Sequence, residues 1–287
     1  MGEKVKFVLK LLVWVCSFAI IGVPAAACIN SDQETNPIEI EYFMKEAIKI
    51  LGNSCSGTDV FIIKRIASAR DVTFSKEYSP LMLIYRDPMI LWVKTEKWHG
   101  KINNLQEFLT YANSREVRYT NLIDDRSALL ATKFLLQVLN ISVKPVQFES
   151  IPREELGSAK SDFLVATSGA HRAPRFSTSA PWKPIVILGN TRLLSDVKLE
   201  ATFPLGYIFD GLVPTVSELS SQIEAEYTAP YVLYKKVDLH DDLAEGAVSL
   251  LREMSIPKTM KYDFLSGARL KLYLENFATR ANAIDSL

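Results

Sequence analysis

Two short stretches of this chain carry residue types that could hold an anion. The first is "DDRSALL", Asp124–Leu130. An aspartate cap ahead of an apolar periodic run predicts a helix over Ser127–Leu139. The start of such a helix presents unpaired N–H groups and partial positive charge, which bind a carboxylate through the backbone alone. Arg126 would add a two-pronged contact to the same guest, with Ser127 beside it. Asp124 and Asp125 have a plainer alternative, since either can cap the helix while Arg126 stays solvated. The second stretch is "SCSGTD", Ser54–Asp59. Ser56, Gly57, Thr58 and Asp59 form a run of small residues whose N–H groups can converge on one anion. A run of that composition also makes an ordinary turn.

Chemistry beyond binding is not written into the chain. There is no nucleophile elbow, no phosphate loop of the Walker kind and no zinc-protease helix. Ser168 and His171 stand close together in "TSGAHRA", but a nucleophile and its base meet in space and seldom in sequence. His99, His171 and His240 are scattered, and no Cys/His spacing suggests zinc. The reading is a binding protein with no catalytic residue, no metal and no cofactor. An exported hydrolase using Ser168 or His171 stands as an alternative.

Of the 287 residues, the first 27 read as an export signal. Lys4, Lys6 and Lys10 precede the apolar run Leu11–Val23, and Ala25-Ala26-Ala27 supplies a small-residue cleavage site. The run is too short for a stable spanning helix, which needs about 20 apolar residues. Cleavage after Ala27 leaves Cys28 first, and two outcomes fit. Cys28 is acylated and tethers the protein, as in bacterial lipoproteins, or it is free and able to pair with Cys55 in an oxidising compartment. The signal takes with it Lys4, Lys6, Lys10 and Glu3, leaving 30 basic and 32 acidic side chains, a net charge of −2. That balance argues against nucleic acid as a partner. The remaining 260 residues suffice for one large or two small domains.

The elements that must position the anion-holding stretches alternate in type. Helical spacing is present at Glu41–Leu51, in "NNLQEFLTYAN" with a cap, at Ser127–Leu139, Val216–Tyr227, Asp241–Met254 and Leu265–Ile284. Strands are expected at Val117–Asn121, Val143–Phe148, Asp162–Ser168 and Tyr231–Val237, and Val60–Ser68 is a strand or a buried helix. "PIVILG", Pro184–Gly189, is apolar on both faces and reads as a parallel-type strand. Leu81–Tyr85 and Met89–Val93 read as two strands broken at Arg86-Asp87-Pro88, because proline lacks a backbone donor. Strands alternating with helices indicate an α/β protein with a largely parallel sheet.

The stretch from Tyr78 to Phe148 adds a resemblance. "YSPLMLIYRDPMILWVKTEKWHGKINNLQEFLTYAN" resembles the entry strand, proline, second strand and helix of tripartite tricarboxylate transporter substrate-binding proteins, the Bug-type periplasmic receptors. "VRYTNLIDDRSALLATKFLLQVLNISVKPVQFES", "AKSDFLVATS" and "WKPIVILGNTRLLSDVKLEATFPLGY" are similar to the blocks that follow in that family. The resemblance implies a bilobal, type II periplasmic-binding-protein-like α/β fold, two lobes joined by hinge strands, with Arg86-Asp87-Pro88 near the hinge. It divides the chain into a signal peptide (1–27), a shortened first part of lobe 1 (28–94), lobe 2 (95–210) and a return to lobe 1 with the C-terminal helices (211–287). It implies a monomer that captures a small carboxylate for membrane transporter subunits. The site it implies comprises Ser56, Gly57, Thr58, Asp59, Asp124, Asp125, Arg126, Ser127 and Ser168. A rival register matches Tyr42–Leu51 to the family's first helix and Asn53–Asp71 to a later Gly-rich segment, leaving the family's first ligand loop absent. Asp124 and Asp125 depart from the family's Gly-Ser and point to a ligand with an amine as well as a carboxylate. A member without a transport ligand, serving a sensory or protein-interaction role, is the remaining alternative.

Overall fold

The computed structural model describes residues 29–31, 38–51, 60–73, 75–94, 104–114, 117–122, 126–139, 141, 149–151, 161–167, 182–190, 192, 213–219, 227–255 and 262–286. Its spine is β3, Tyr78–Lys94, a single strand of 17 residues. The expected break at Arg86-Asp87-Pro88 is absent. Proline is extended at its fixed φ, and it costs a ladder bond only where a partner wants its N–H. Pro88 makes the last pairing of β3 with β8 (Thr228–Lys236), and from Met89 onward β3 pairs with β6 (Phe163–Thr167) and β7 (Trp182–Ile187). The missing donor falls where the ladder changes partners.

Two half-sheets therefore share one strand. The first runs β1 (Ile29–Ser31), β2 (Phe61–Arg65), β8 and the first half of β3, with β9 (Leu265–Ser266) against Met82 and Leu83. The second runs from the last part of β3 through β6 and β4 (Tyr119–Leu122) to β5 (Glu149–Ile151), with β7 also on β3. Val60–Ser68 is settled as a strand. The sheet is mixed, not largely parallel: three strand pairings are parallel and five antiparallel among the described residues. β7 is itself antiparallel to β3, because apolar character on both faces reports two covering layers and not strand direction.

Helices cover these sheets through the stripes their spacing predicts. α1 (Ile38–Leu51) buries Ile40, Phe43, Ala47 and Leu51, and α5 (Asp241–Arg252) buries Ala244, Ala247, Val248 and Leu251. Both pack on one face of the first sheet with Phe61, Ile63, Met82, Ile84, Tyr231 and Leu233. The alternate residues Leu83, Val232 and Tyr234 join a larger core on the opposite face. That core runs on through Leu91, Phe163 and Val186 of the second sheet to α2 (Leu105–Ser114) and α3 (Arg126–Val138). α6 (Gly267–Asp285) lies along it with Leu270, Leu274, Phe277, Ala281 and Ile284. α2 is capped as expected, the Glu107 N–H donating to Asn104 Oδ1 at 2.9 Å. Of the expected Val216–Tyr227 helix, α4 covers Val216–Leu219, and Tyr227 already leads into β8. The expected strand at Val143–Phe148 lies outside the described residues. No helix among the described residues is long and apolar enough to cross a membrane.

Candidate functional site

Strand register decides where a ligand could sit. β1 and β2 run parallel, Ile29 opposite Phe61. Arg65, the last residue of β2, pairs with Tyr231 of β8, which in turn pairs with Tyr85 of β3. β2 thus runs with β3 and stops short of Pro88. In the second half-sheet β6 opposes β3, with Thr167, its last residue, opposite Met89. β4 and β5 run parallel with β6, and the pairing of Thr120 with Leu164 places Leu122 level with Ala166 and Ile90. The carboxyl ends of β2 and of β4, β5 and β6 therefore face the same crossing from opposite sides. Arg65 and Leu122 are offset by five positions along β3, or about 16 Å at the rise of a strand. In open α/β sheets small guests bind outside such carboxyl ends, where helices begin.

The wall on the second side is the start of α3. Its 13 residues add their peptide dipoles toward Arg126. Ser127 and Ala128 are buried in the first turn, and Thr132 is satisfied there by donating from Oγ1 to the Ala128 carbonyl at 2.8 Å. On the first side β2 ends at Arg65, and the 3-10 turn Ala69–Thr73 beyond it packs back on the larger core through Ala69 and Val72. Asp71 folds back on it: Oδ2 accepts from the Ala67 N–H at 3.0 Å and the Ser68 hydroxyl at 2.9 Å. The fully buried Tyr234 donates its hydroxyl to the Asp71 and Val72 carbonyls at 3.2 and 3.1 Å. Arg70 is left exposed on this pinned turn.

At the crossing two bonds mark a second passage between the half-sheets: the Leu188 N–H donates to the Met89 carbonyl at 2.7 Å and the Tyr227 N–H to the Leu188 carbonyl at 2.9 Å. Arg86 is fixed by a fork on Asp263, Nε to Oδ2 at 3.0 Å and Nη2 to Oδ1 at 2.8 Å. Tyr273 of α6 is hydrogen-bonded with Thr228, and burial pushes its phenol up to about 12. The cavity lined by Tyr227, Thr228, Phe277, Arg280 and Ala281 has room for about one water, far less than a solute needs.

Of the residues singled out in the sequence, Ser127 is buried in the first turn of α3. Arg126 opens that helix, and its backbone alone is described. Ser56, Gly57, Thr58, Asp59, Asp124, Asp125, Ser168, His171, Cys28 and Cys55 lie outside the described residues. His240 is exposed ahead of α5, with Nδ1 at 3.7 Å from Asp242. Sequence reasoning passed over Arg65, Arg70, Asp71 and Tyr234. The signal for the first two was position alone, at and just beyond a strand's carboxyl end. The lock between Tyr234 and Asp71 joins residues 163 apart and left no local trace.

No family model matches the chain, and no curated protein matches it in sequence. Solved structures do match in fold. The periplasmic binding protein BugD superposes with a TM-score of 0.60 at 12% identity, over 91% of this chain and 96% of its own. MatC from Rhodopseudomonas palustris with bound malate gives 0.58 at 13%, over 91% and 99%. A second R. palustris protein, with adipate, gives 0.61 at 10%, over 91% and 96%. At such identities the likeness establishes the architecture: a type II periplasmic-binding-protein fold, two α/β lobes joined by hinge strands.

Proposed function

We propose that the chain is an extracytoplasmic solute-binding protein of the tripartite tricarboxylate transporter kind. It captures a small organic anion carrying a carboxylate and presents it, as a monomer and without catalysis, to membrane transporter subunits. One observation carries the reading: the carboxyl ends of the parallel strands of both half-sheets meet at the crossing made by Pro88 and Met89. The start of α3 supplies anion-binding N–H groups on one side. Arg65, the last residue of β2, brings a cation to the other. The malate and adipate bound by structural neighbours support a carboxylate as guest.

Chain connectivity refines the site. Ser56, Gly57, Thr58 and Asp59 lead into the first residue of β2, at its amino end, whereas residues 32–37 follow the last residue of β1. The carboxyl-end argument therefore favours the rival register, with α1 as the family's first helix. On the second side Asp124, Asp125, Arg126, Ser127 and Ser168 keep their assigned roles, and the two aspartates select a guest bearing an amine. Cys28 directly precedes β1, whose Ile29 is buried. Acylation of Cys28 would hold the first half-sheet against the membrane, and mass spectrometry of the mature N-terminus distinguishes that form from a free one.

Thermal-shift titration of the mature protein with malate, adipate, citrate and glutamate tests the proposal. A ligand at 100 times its Kd stabilises by about 2.7 kcal/mol. The expected result is a saturable rise in Tm with at least one of these compounds and a fall in radius of gyration in solution scattering. No shift with any of them, together with unchanged scattering, refutes a receptor for small carboxylates and leaves the protein-interaction reading. Ester or phosphate hydrolysis lost in Ser168→Ala would instead promote the hydrolase.

A further inference from the structure

Four large hydrophobic residues stand more than a third exposed among those described, and three of them crowd one short stretch: Val237 at 58%, Leu243 at 37% and Leu250 at 44%. Leu243 and Leu250 are seven apart on α5, with Gly246 between them on the same stripe. Glycine weakens a helix interior, and it is usually kept where a neighbour comes too close for a side chain. Here a Cβ built on Gly246 meets no atom within 4 Å. Among the described residues nothing asks for its small size. We propose that the Leu243–Gly246–Leu250 stripe is a docking face for a helix of a different protein. That helix carries basic residues beside its own apolar stripe, and its backbone passes close over Gly246.

Charge selects that occupant. Asp238, Asp242, Glu245 and Glu253 are all exposed around the stripe, with His240 near Asp242. Two described cations close by are turned elsewhere: Lys235 bonds Asp241, and Arg252 donates to the Phe264 carbonyl and the Ser266 hydroxyl. A second copy of this chain would bring the same acids against these, and an anionic bilayer is repelled likewise. A basic helix is attracted. The inference stands apart from the solute site, since it needs no ligand.

The probe is a stapled, monomeric helical peptide with a leucine stripe flanked by lysines, titrated against the chain from residue 28 onward by fluorescence anisotropy. A peptide with glutamates in place of the lysines is the control. The lysine peptide is expected to bind, to weaken as salt rises, and to slow amide exchange within 241–252. Gly246→Trp keeps or improves helix propensity, so the fold survives while the close approach is blocked. It should weaken the peptide by about tenfold or more. Absence of binding, equal binding of both peptides, undiminished binding by folded Gly246→Trp, or self-association of the protein through this helix would each overturn the proposal.

Discussion

At the scale of single residues, two titrating groups separate burial from exposure. Tyr273 is raised to about 12 mainly by desolvation against the hinge, from an ordinary value of 10. The folded state then holds its proton more tightly than the unfolded state. Its contribution is complete below pH 10 and is lost as pH climbs toward about 12. Urea unfolding across that window should show falling stability, and Tyr273→Phe should flatten the slope; identical slopes would refute the assignment. Glu218 moves the other way, to about 2, chiefly through its hydrogen bonds from Arg192, with Thr215 adding a further bond. A depressed carboxylate contributes above its unfolded value of 4.5 and loses that contribution as pH falls through about 2. The pair is 44% and 40% exposed, so water screens most of that effect. Its titration should be visible by NMR, returning toward the ordinary range in Arg192→Ala, with little change in Tm.

At the scale of elements, the Tyr234 hydroxyl is what fixes the turn after β2. Tyr234→Phe keeps the buried ring and removes both bonds to that turn, which should cost about 1 kcal/mol and loosen amide protection at 69–73. Unchanged exchange there would mean that the Asp71 bonds suffice alone. Helix α5 offers the opposite sign. Gly246→Ala meets open space, so it should stabilise by about 0.4–1 kcal/mol. The helices were the legible part of this fold. Ile40, Phe43, Ala47 and Leu51, or Leu105, Phe108 and Ala112, announce a buried stripe by spacing alone. Strand direction was not legible, since Ile185–Ile187 is buried whichever way its neighbour runs. Pro88 misled for a related reason: local rules forbid its N–H bond, and only the register shows that it falls where β3 changes partners. Of the candidate site residues, Ser127 could be placed from the spacing of its helix, whereas Arg65 became a candidate once β2 was known to end short of the crossing.

At the scale of the molecule, the question is whether the two half-sheets are independent bodies. β3 belongs to both, and one apolar core contains Leu83, Val232 and Tyr234 of the first together with Leu91, Phe163 and Val186 of the second. α6 seals that core along its length, with Phe277 buried beside Tyr227 at the second passage. If the proposed solute site lies at the crossing, closing it slides α6 over a shared surface, which favours a small shear over a wide swing. The same packing makes unfolding cooperative. Trp92 and Trp182 both sit in the second half-sheet, so in the chain from residue 28 with Trp98→Phe tryptophan fluorescence reports that half, while far-UV circular dichroism reports the whole. Urea curves from the two probes should coincide. Phe277→Ala should shift both by an amount worth about 3–5 kcal/mol, the cost of an emptied aromatic site. If the halves were separable, the variant would displace the dichroism curve and leave the tryptophan curve in place, or the wild-type curves would already part. Either outcome would remove the reason to expect a sliding α6 and leave the two lobes to move about their hinge strands alone.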